Sequence, residues 1–541
     1  MMAIRLFASR LLRLNAAAAA RIYRHHSTVV ETQRPARTRF APSPTGFLHL
    51  GSLRTALFNY LLAKKTGGQF LLRIEDTDKK RTVEGAEQSL FETLRWAGLQ
   101  WDEGPEVGGP HGPYRQSERA ELHQKHAQQL VEDGHAYRCF CTPERLQALA
   151  ITRKRAGLPT DYDRTCISIP AEESAERAVK GEAHVVRLKA PSQYPGFNDV
   201  VYGKITFTEN ARAHAMGSFE DPILLKSDGL PTYHLANVVD DHYMQITHVC
   251  RATEWMPSTP KHVHLYDCFR WTPPEFVHVG LLQNSERGKL SKRNGDVFVS
   301  EYREKGYLPE SLNNFVALLG WSHEHTSDVM SLKEMVERFD IKRLTPGNTI
   351  VNFEKLDFLQ KHHVRAQVEA GGNGEKEIFD AVVKQVAAEF GDKLESGAEI
   401  TKDYVHRVFC ANLQNYLLPD TFVKSSSYFF RAPEAFAAKP ARQVKKFLTE
   451  NNLTYSALMD RFESQLSALE AAEWTADRLH SIVEIREDEE GARPRWTAKM
   501  KVVRLALTGG EPGPSVAETM AVLGRERVLE RMCKIRASEL W

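Results

Sequence analysis

Near its beginning the chain changes hydrophobic period twice within forty residues. Thr38 to Ala41 opens a short extended segment that ends in the turn PSPTG, and beyond it Leu50, Leu53, Leu57, Tyr60 and Leu61 recur at helical spacing. Thr66-Gly67-Gly68 predicts the helix stop, and QFLLRIED, a short apolar run bounded by glycines and charges, predicts a buried parallel strand. Strand, turn, helix, strand is a βαβ unit, and such sheets bind ligands at the carboxyl ends of their strands, where helix amino termini point. A second β-like run, Phe276 to Leu282, leads into GLLQNSERGKLSKRNGD. Past a soft junction at KHHVRAQVEAGGNGEKE the pattern turns helical: Val405, Phe409, Leu413 and Tyr416 are helix-spaced, as are Val516, Met520 and Leu523 before Gly524.

Composition sets the class. A chain of 541 residues is too long for one hydrophobic core, so several domains are expected. With 42% hydrophobic and 26% charged residues it reads as soluble and globular, and no apolar run approaches the roughly 20 residues needed to cross a bilayer, so no membrane partner is expected. Seven cysteines do not make a disulfide scaffold at this length and fit a reducing compartment. The first thirty residues stand apart: Arg5, Arg10, Arg13, Arg21 and Arg24, abundant alanine and no acidic residue before Glu31 predict a mitochondrial transit peptide over residues 1–30 and a mitochondrial matrix location. The whole chain carries a net charge of +2, and without the five leader arginines it would be slightly acidic, so any nucleic-acid contact must come from local basic patches.

Candidate chemistry concentrates at the first turn and the second loop. Gly46 and Gly51 would let backbone approach a ligand, the helix amino terminus offers unpaired N–H groups to a phosphate, and His49 adds a donor aimed at the same oxygens. Alone, this pattern is equally a packed histidine beside turn glycines. Lys289, Lys292 and Arg293 in a Gly-rich loop change the balance, because lysines that close over a triphosphate can meet the charge developing at leaving pyrophosphate.

PTGFLHLG and KLSKR resemble the HIGH and KMSKS motifs of class I aminoacyl-tRNA synthetases. RFAPSPTGFLHLGSLRTALFNYLLAKK, FLLRIEDTDKKR, LLKSDGLPTYHLANVVDDHYMQITHVCRATEW and ALTGGEPGPSVAETMAVLGRERVLERM narrow this to the glutamyl-tRNA synthetases of bacterial and organellar type, from about residue 37 to the end. The resemblance implies an α/β fold: a Rossmann-like parallel-sheet catalytic domain with an α/β insertion, followed by an all-α anticodon-binding region. Its expected limits are a catalytic first half at 37–120, an acceptor-end-binding insertion at 121–220, a catalytic second half with the KLSKR loop at 221–297, a stem-contact region at 298–360 and a helical anticodon-binding region at 361–541.

Glutamate presents one ammonium and two carboxylates, so a selective site needs a carboxylate and guanidinium forks held out of bulk water. The resemblance implies Glu75 for the ammonium, Arg251 with Arg39 for the side-chain carboxylate, and Ala41, Ser43, Tyr233 and Asn237 around the amino acid. It implies His49, Gly51, Glu254, Trp255, Lys289, Leu290, Ser291, Lys292 and Arg293 for ATP, with His49, Lys289 and Lys292 catalytic and Mg²⁺ accompanying the nucleotide. Asp240 and Asp241 follow Asn237 closely, and nothing local says whether they touch substrate or support the site. The implied partners are L-glutamate, ATP and glutamate tRNA, with the charging of glutamine tRNA left open and a monomer expected.

Two positions depart from the motifs. Ser52 stands where HIGH has its second histidine. Cys139, Cys141 and Cys166 match an arrangement with which some members bind zinc, but Ser168 replaces the fourth ligand, so no structural zinc is expected. KPARQVKK at 439–446 and ARPRWTAKMK at 492–501, with Trp496 for stacking, are the candidate RNA contacts of the tail. A relative that modifies a nucleoside in tRNA would lack that tail, and an inactive RNA-binding scaffold would have no chemical need for His49, Glu75, Arg251, Lys289 and Lys292 together.

Overall fold

The computed structural model of the chain describes residues 34–207, 216–288, 290, 298–433, 438–484 and 492–538. The expected leader, and Lys289, Ser291, Lys292 and Arg293, lie outside the described residues. The βαβ unit forms as expected: strand β1 (Arg37–Phe40), helix α1 (Leu50–Lys65) and strand β2 (Gln69–Leu72), with β1 parallel to β2. The strands that follow are β3 (Ala136–Cys139), β4 (Val185–Leu188), β5 (Phe197–Asp199), β6 (Gly203–Ile205), β7 (Ile223–Leu225), β8 (His248–Ala252), β9 (Glu275–Val279), β10 (Leu282–Gln283) and β11 (Thr349–Ile350). They build a six-stranded sheet in the order β2-β1-β8-β9-β5-β6, a three-stranded antiparallel sheet β3-β4-β7, and the parallel pair β10-β11. In the large sheet every pairing is parallel except the last, where β6 returns antiparallel to β5.

Helix α1 is buried on more than one face, with Leu53, Ala56, Leu57, Phe58, Leu61 and Leu62 all in the core. A helix carrying apolar residues all round must be covered on both sides. Here the sheet covers one side and the helix Pro309–Leu318 another. His49 caps the amino terminus, its ring Nδ1 accepting the Ser52 N–H, and Thr66 ends the helix before Gly67 at φ +69°. The run Phe276 to Leu282 divides into β9 and β10 at Gly280, where a Cβ would fall 1.6 Å from the Gly347 carbonyl oxygen.

Two expected boundaries move. The hairpin β5-β6 lies inside the 121–220 segment yet belongs to the large sheet, while β7, beyond residue 220, belongs to the small one. The limit at 360/361 falls within a continuous helix, Phe353–Ala370, and the chain breaks instead at Gly371-Gly372, both at positive φ. Tail and junction therefore share a helix, because the polar stretch KHHVRAQVEA still offers Val364 to a core.

From there on the described chain is almost entirely helical around one core that includes Val405, Phe409, Phe422, Phe429 and Met520. The spacing at 405–416 spans more than one element. The helix Lys402–Asn412 ends, a 3₁₀ turn starts at Leu413, and Tyr416 beyond it still packs its ring 5.3 Å from that of Phe409. Trp496, the candidate stacking residue, donates its indole N–H to the Val483 carbonyl, and its ring is half-buried. Lys499 and Lys501, from the same basic stretch, lie over the rings of Phe462 and Phe447.

Candidate active site

The carboxyl ends of β1 and β8, the start of α1 and the helix α2 (Tyr233–Tyr243) enclose a cavity of about 1180 Å³. Arg39, Ala41, Ser43, His49, Gly51, Glu75, Tyr233, Asn237, Arg251, Glu254, Trp255 and Leu290 all line it. These are all the expected site residues that fall among the described ones, gathered from positions more than two hundred residues apart. Leu290, the one described residue of KLSKR, and Phe298, the first described residue after it, line the same cavity, and Phe298 forms an isolated β-bridge with His49.

One end is a buried charge network. Asp241 accepts from Arg39 Nε at 3.0 Å, Arg39 Nη2 at 3.2 Å and Arg73 Nη1 at 2.7 Å. Arg73 Nη2 donates to Glu75 Oε1 at 3.2 Å, and Asn237 Nδ2 donates to the same oxygen at 3.2 Å. Burial opposes ionisation of Asp241, but Arg39 and Arg73 overcome it and hold the carboxyl below its ordinary range. For Glu75 burial prevails over the same arginines and pushes the carboxyl above its ordinary range. Asp240 faces away, accepting from Arg119 Nε at 2.6 Å, His123 Nε2 at 3.0 Å and Gln116 Nε2 at 2.9 Å. The two aspartates support the site: one carries its arginines, and the other ties α2 to the segment 116–123.

Arg251 is held differently. It is 5% exposed, and its nitrogens meet neutral partners: Nη1 donates to the Tyr233 hydroxyl at 2.8 Å, Nη2 to Thr259 Oγ1 at 2.8 Å and Nε to His278 Nε2 at 3.2 Å. Burial pushes His262, whose ring also approaches Nη1, far below its ordinary range, and depresses His278 as well. Among the described residues no carboxylate forms an ion pair with Arg251. Arg39 and Arg73 thus pair with Asp241 and Glu75, whereas Arg251 has no ion-pair partner among the described residues. A second carboxylate on the ligand would match it.

At the other end, helix α1 presents its amino terminus. A Cβ on Gly51 would lie 3.2 Å from both Cε1 and Nδ1 of His49, so glycine leaves the imidazole room. Ser52 Oγ lies 3.0 Å from His49 Nε2, which gives this serine a partner role beside the ring. Trp255 is 40% exposed, with its ring 4.4 Å from that of Tyr233.

Residues 35–358 match the family described as tRNA synthetases class I (E and Q), catalytic domain, and residues 417–536 match an anticodon binding domain. The chain belongs to the class I glutamyl-tRNA synthetase family. A glutamate–tRNA ligase of Chlorobium luteolum is 39% identical over 510 residues, covering 92% of this chain and 97% of the relative. A mitochondrial glutamate–tRNA ligase of Schizosaccharomyces pombe is 40% identical over 506 residues, covering 93% and 91%. A crystal structure of a glutamate tRNA ligase from Elizabethkingia meningosepticum, in complex with its amino acid, superposes with a TM-score of 0.77 at 33% identity, over 93% of this chain and all of that one. The chain is therefore a glutamate–tRNA ligase, a class I aminoacyl-tRNA synthetase acting on tRNA, glutamate and ATP.

Sequence reasoning missed several residues of this synthetase site. Arg73 and the roles of Asp240 and Asp241 were hidden because their partners are distant in sequence. Arg54 carried a visible signal, a cation within an apolar helix. It lines the cavity, Nη1 donates to the Leu319 carbonyl at 2.7 Å, Nη2 donates to that of Gly280, and burial lowers its pKa to about 10. The three insertion cysteines do converge: the Sγ atoms of Cys139, Cys141 and Cys166 lie within 4.8 Å of one another. The Tyr162 hydroxyl lies 3.3 Å from Sγ of both Cys139 and Cys141, and burial, with the thiols, raises its pKa. Ser168 Oγ donates to the Thr165 carbonyl at 3.3 Å. Three soft donors are present for a metal, with the Tyr162 hydroxyl beside them.

Proposed function

We propose that this ligase works in mitochondrial translation and that the cavity activates L-glutamate to glutamyl-adenylate before transfer to the 3′-terminal adenosine of glutamate tRNA. The arginine-rich leader composition and the mitochondrial relative support the location. The observation that carries the site reading is Arg251, buried among neutral partners and, among the described residues, in no ion pair with a carboxylate.

In this reading Arg251 takes the side-chain carboxylate by a two-pronged contact, with Arg39 alongside, although two nitrogens of Arg39 are already committed to Asp241. Glu75 takes the ammonium, with Tyr233 and Asn237 fixing its approach and Ala41 and Ser43 shaping the wall. The α-carboxylate then attacks the ATP α-phosphate in line, and pyrophosphate leaves. His49 and the amino terminus of α1 stabilise the phosphorus as it becomes five-coordinate, while Lys289 and Lys292, with Leu290, Ser291 and Arg293 in their loop, draw off charge on the leaving group. Glu254 holds ribose hydroxyls and Trp255 stacks on adenine, and magnesium enters with ATP as part of the substrate. No covalent enzyme intermediate is required.

The 3-stranded insertion sheet would hold the acceptor end and the helical tail the anticodon, with the chain acting as a monomer and without a structural zinc. ATP–pyrophosphate exchange with leaderless protein, glutamate and tRNA tests the reaction, and absence of exchange refutes it. Arg251→Gln should erode preference for glutamate over glutamine. Import of a reporter carrying residues 1–30 tests the location, and charging assays with glutamate and glutamine tRNAs side by side define the tRNA range.

A further inference from the structure

We infer that His278 and Asp199 form a positioning pair that fixes Arg251 from behind and so helps select glutamate. The inference rests on the reading that Arg251 takes the glutamate side-chain carboxylate. Neither residue lines the cavity, and both side chains are fully buried. Asp199 ends β5, and His278 lies on β9, the strand beside β8, opposite Arg251 itself.

The hydrogen bonds run in one direction. Asp199 Oδ2 lies 2.6 Å from His278 Nδ1 and accepts the His278 backbone N–H at 3.1 Å, while Oδ1 accepts from Val201 and Tyr202 N–H at 2.9 and 3.0 Å. A carboxylate only accepts, so the imidazole proton sits on Nδ1 and Nε2 presents a lone pair. That lone pair faces Arg251 Nε–H at 3.2 Å and the Thr259 hydroxyl at 3.2 Å, and Thr259 in turn accepts from Arg251 Nη2. The other tautomer would set an N–H against the guanidinium N–H. An imidazolium would have no lone pair left to accept the Arg251 Nε–H. Asp199 therefore keeps His278 an acceptor, and His278 orients Arg251 without neutralising it, which a carboxylate in the same place would do. The fixed element is the hairpin β5-β6, also pinned by the Tyr202 hydroxyl, which accepts the Gly347 N–H at 2.8 Å.

The test compares His278→Leu, which removes the ring's bonds to Asp199, Arg251 and Thr259, with His278→Gln, which offers an amide donor toward Asp199 and an oxygen toward Arg251. Exchange assays with tRNA give the KM for glutamate and for ATP and the selectivity against glutamine, and thermal melts report folding. His278→Leu should raise the glutamate KM about tenfold, leave the ATP KM within about twofold and weaken selectivity, and His278→Gln should recover most of the loss. Should His278→Leu fail to fold, Asp199→Asn, which sets an amide against N–H donors, should show the same glutamate-specific rise. A folded His278→Leu or Asp199→Asn with unchanged glutamate KM overturns the inference, as does His278→Gln as impaired as His278→Leu, or a parallel rise in both KM values. Arg251→Gln in the same assays separates the two levels: lost selectivity there with intact His278→Leu refutes only the pair, and retained selectivity there refutes the reading of Arg251 and the pair with it.

Discussion

Replacing Asp241 by asparagine tests whether the buried charge network is what holds glutamate. The carboxylate accepts three hydrogen bonds from Arg39 and Arg73 at 2.7 to 3.2 Å with almost no solvent access. The amide keeps the shape and one acceptor oxygen, but leaves two buried guanidinium groups facing a single carboxylate, Glu75. Removing one partner of a buried ion pair costs about 3–5 kcal/mol, and the retained oxygen puts this case near the lower end, about 3 kcal/mol. Arg73, already 3.2 Å from Glu75 Oε1, would then hold Glu75 harder. Glu75 would be less available to an ammonium, so the glutamate KM should rise at least about tenfold, equivalent to roughly 1.4 kcal/mol. Urea denaturation of the purified ligase gives the stability change, and exchange kinetics give the KM for each substrate. A stability loss under about 1 kcal/mol together with an unchanged glutamate KM would show that Asp241 neither carries the arginines nor tunes Glu75.

Three other outcomes are expected. Gly51→Ala should push the His49 ring out of its place against the cap of α1, lowering kcat about tenfold or more with the fold intact, and wild-type kcat would show that the ring position is not used. Because burial raises the Glu75 carboxyl in the empty site and a bound ammonium favours its ionised form, glutamate binding must expel a proton as pH falls toward that raised value. The glutamate KM should therefore climb as pH falls from neutrality toward that raised carboxylate range, and a profile in Glu75→Gln as steep as the parent's would assign the proton elsewhere. Zinc analysis of purified protein should find well under one equivalent and chelation should leave the melting temperature unchanged, whereas one zinc per chain that is lost in Cys141→Ser would establish a metal site at the cysteine trio.

The sequence alone was enough to determine the local units. The period change around residues 38–72 sets a strand, a capped helix and a parallel strand, because side-chain spacing, turn glycines and stop signals act over a few residues each. It also supplied the residue types that one cavity needs, and the family resemblance named them. Tertiary structure decided what each charge does. Arg39 and Arg251 look alike in the text, yet one is tied to Asp241 across 202 positions and the other, among the described residues, meets neutral acceptors. The same holds for the hairpin β5-β6, whose entry into the large sheet was invisible from its place within an insertion. Trp496 gave no sign that its indole would be turned onto the Val483 carbonyl. Burial and long-range pairing set the energy of a charge, and neither is a property of the neighbouring letters.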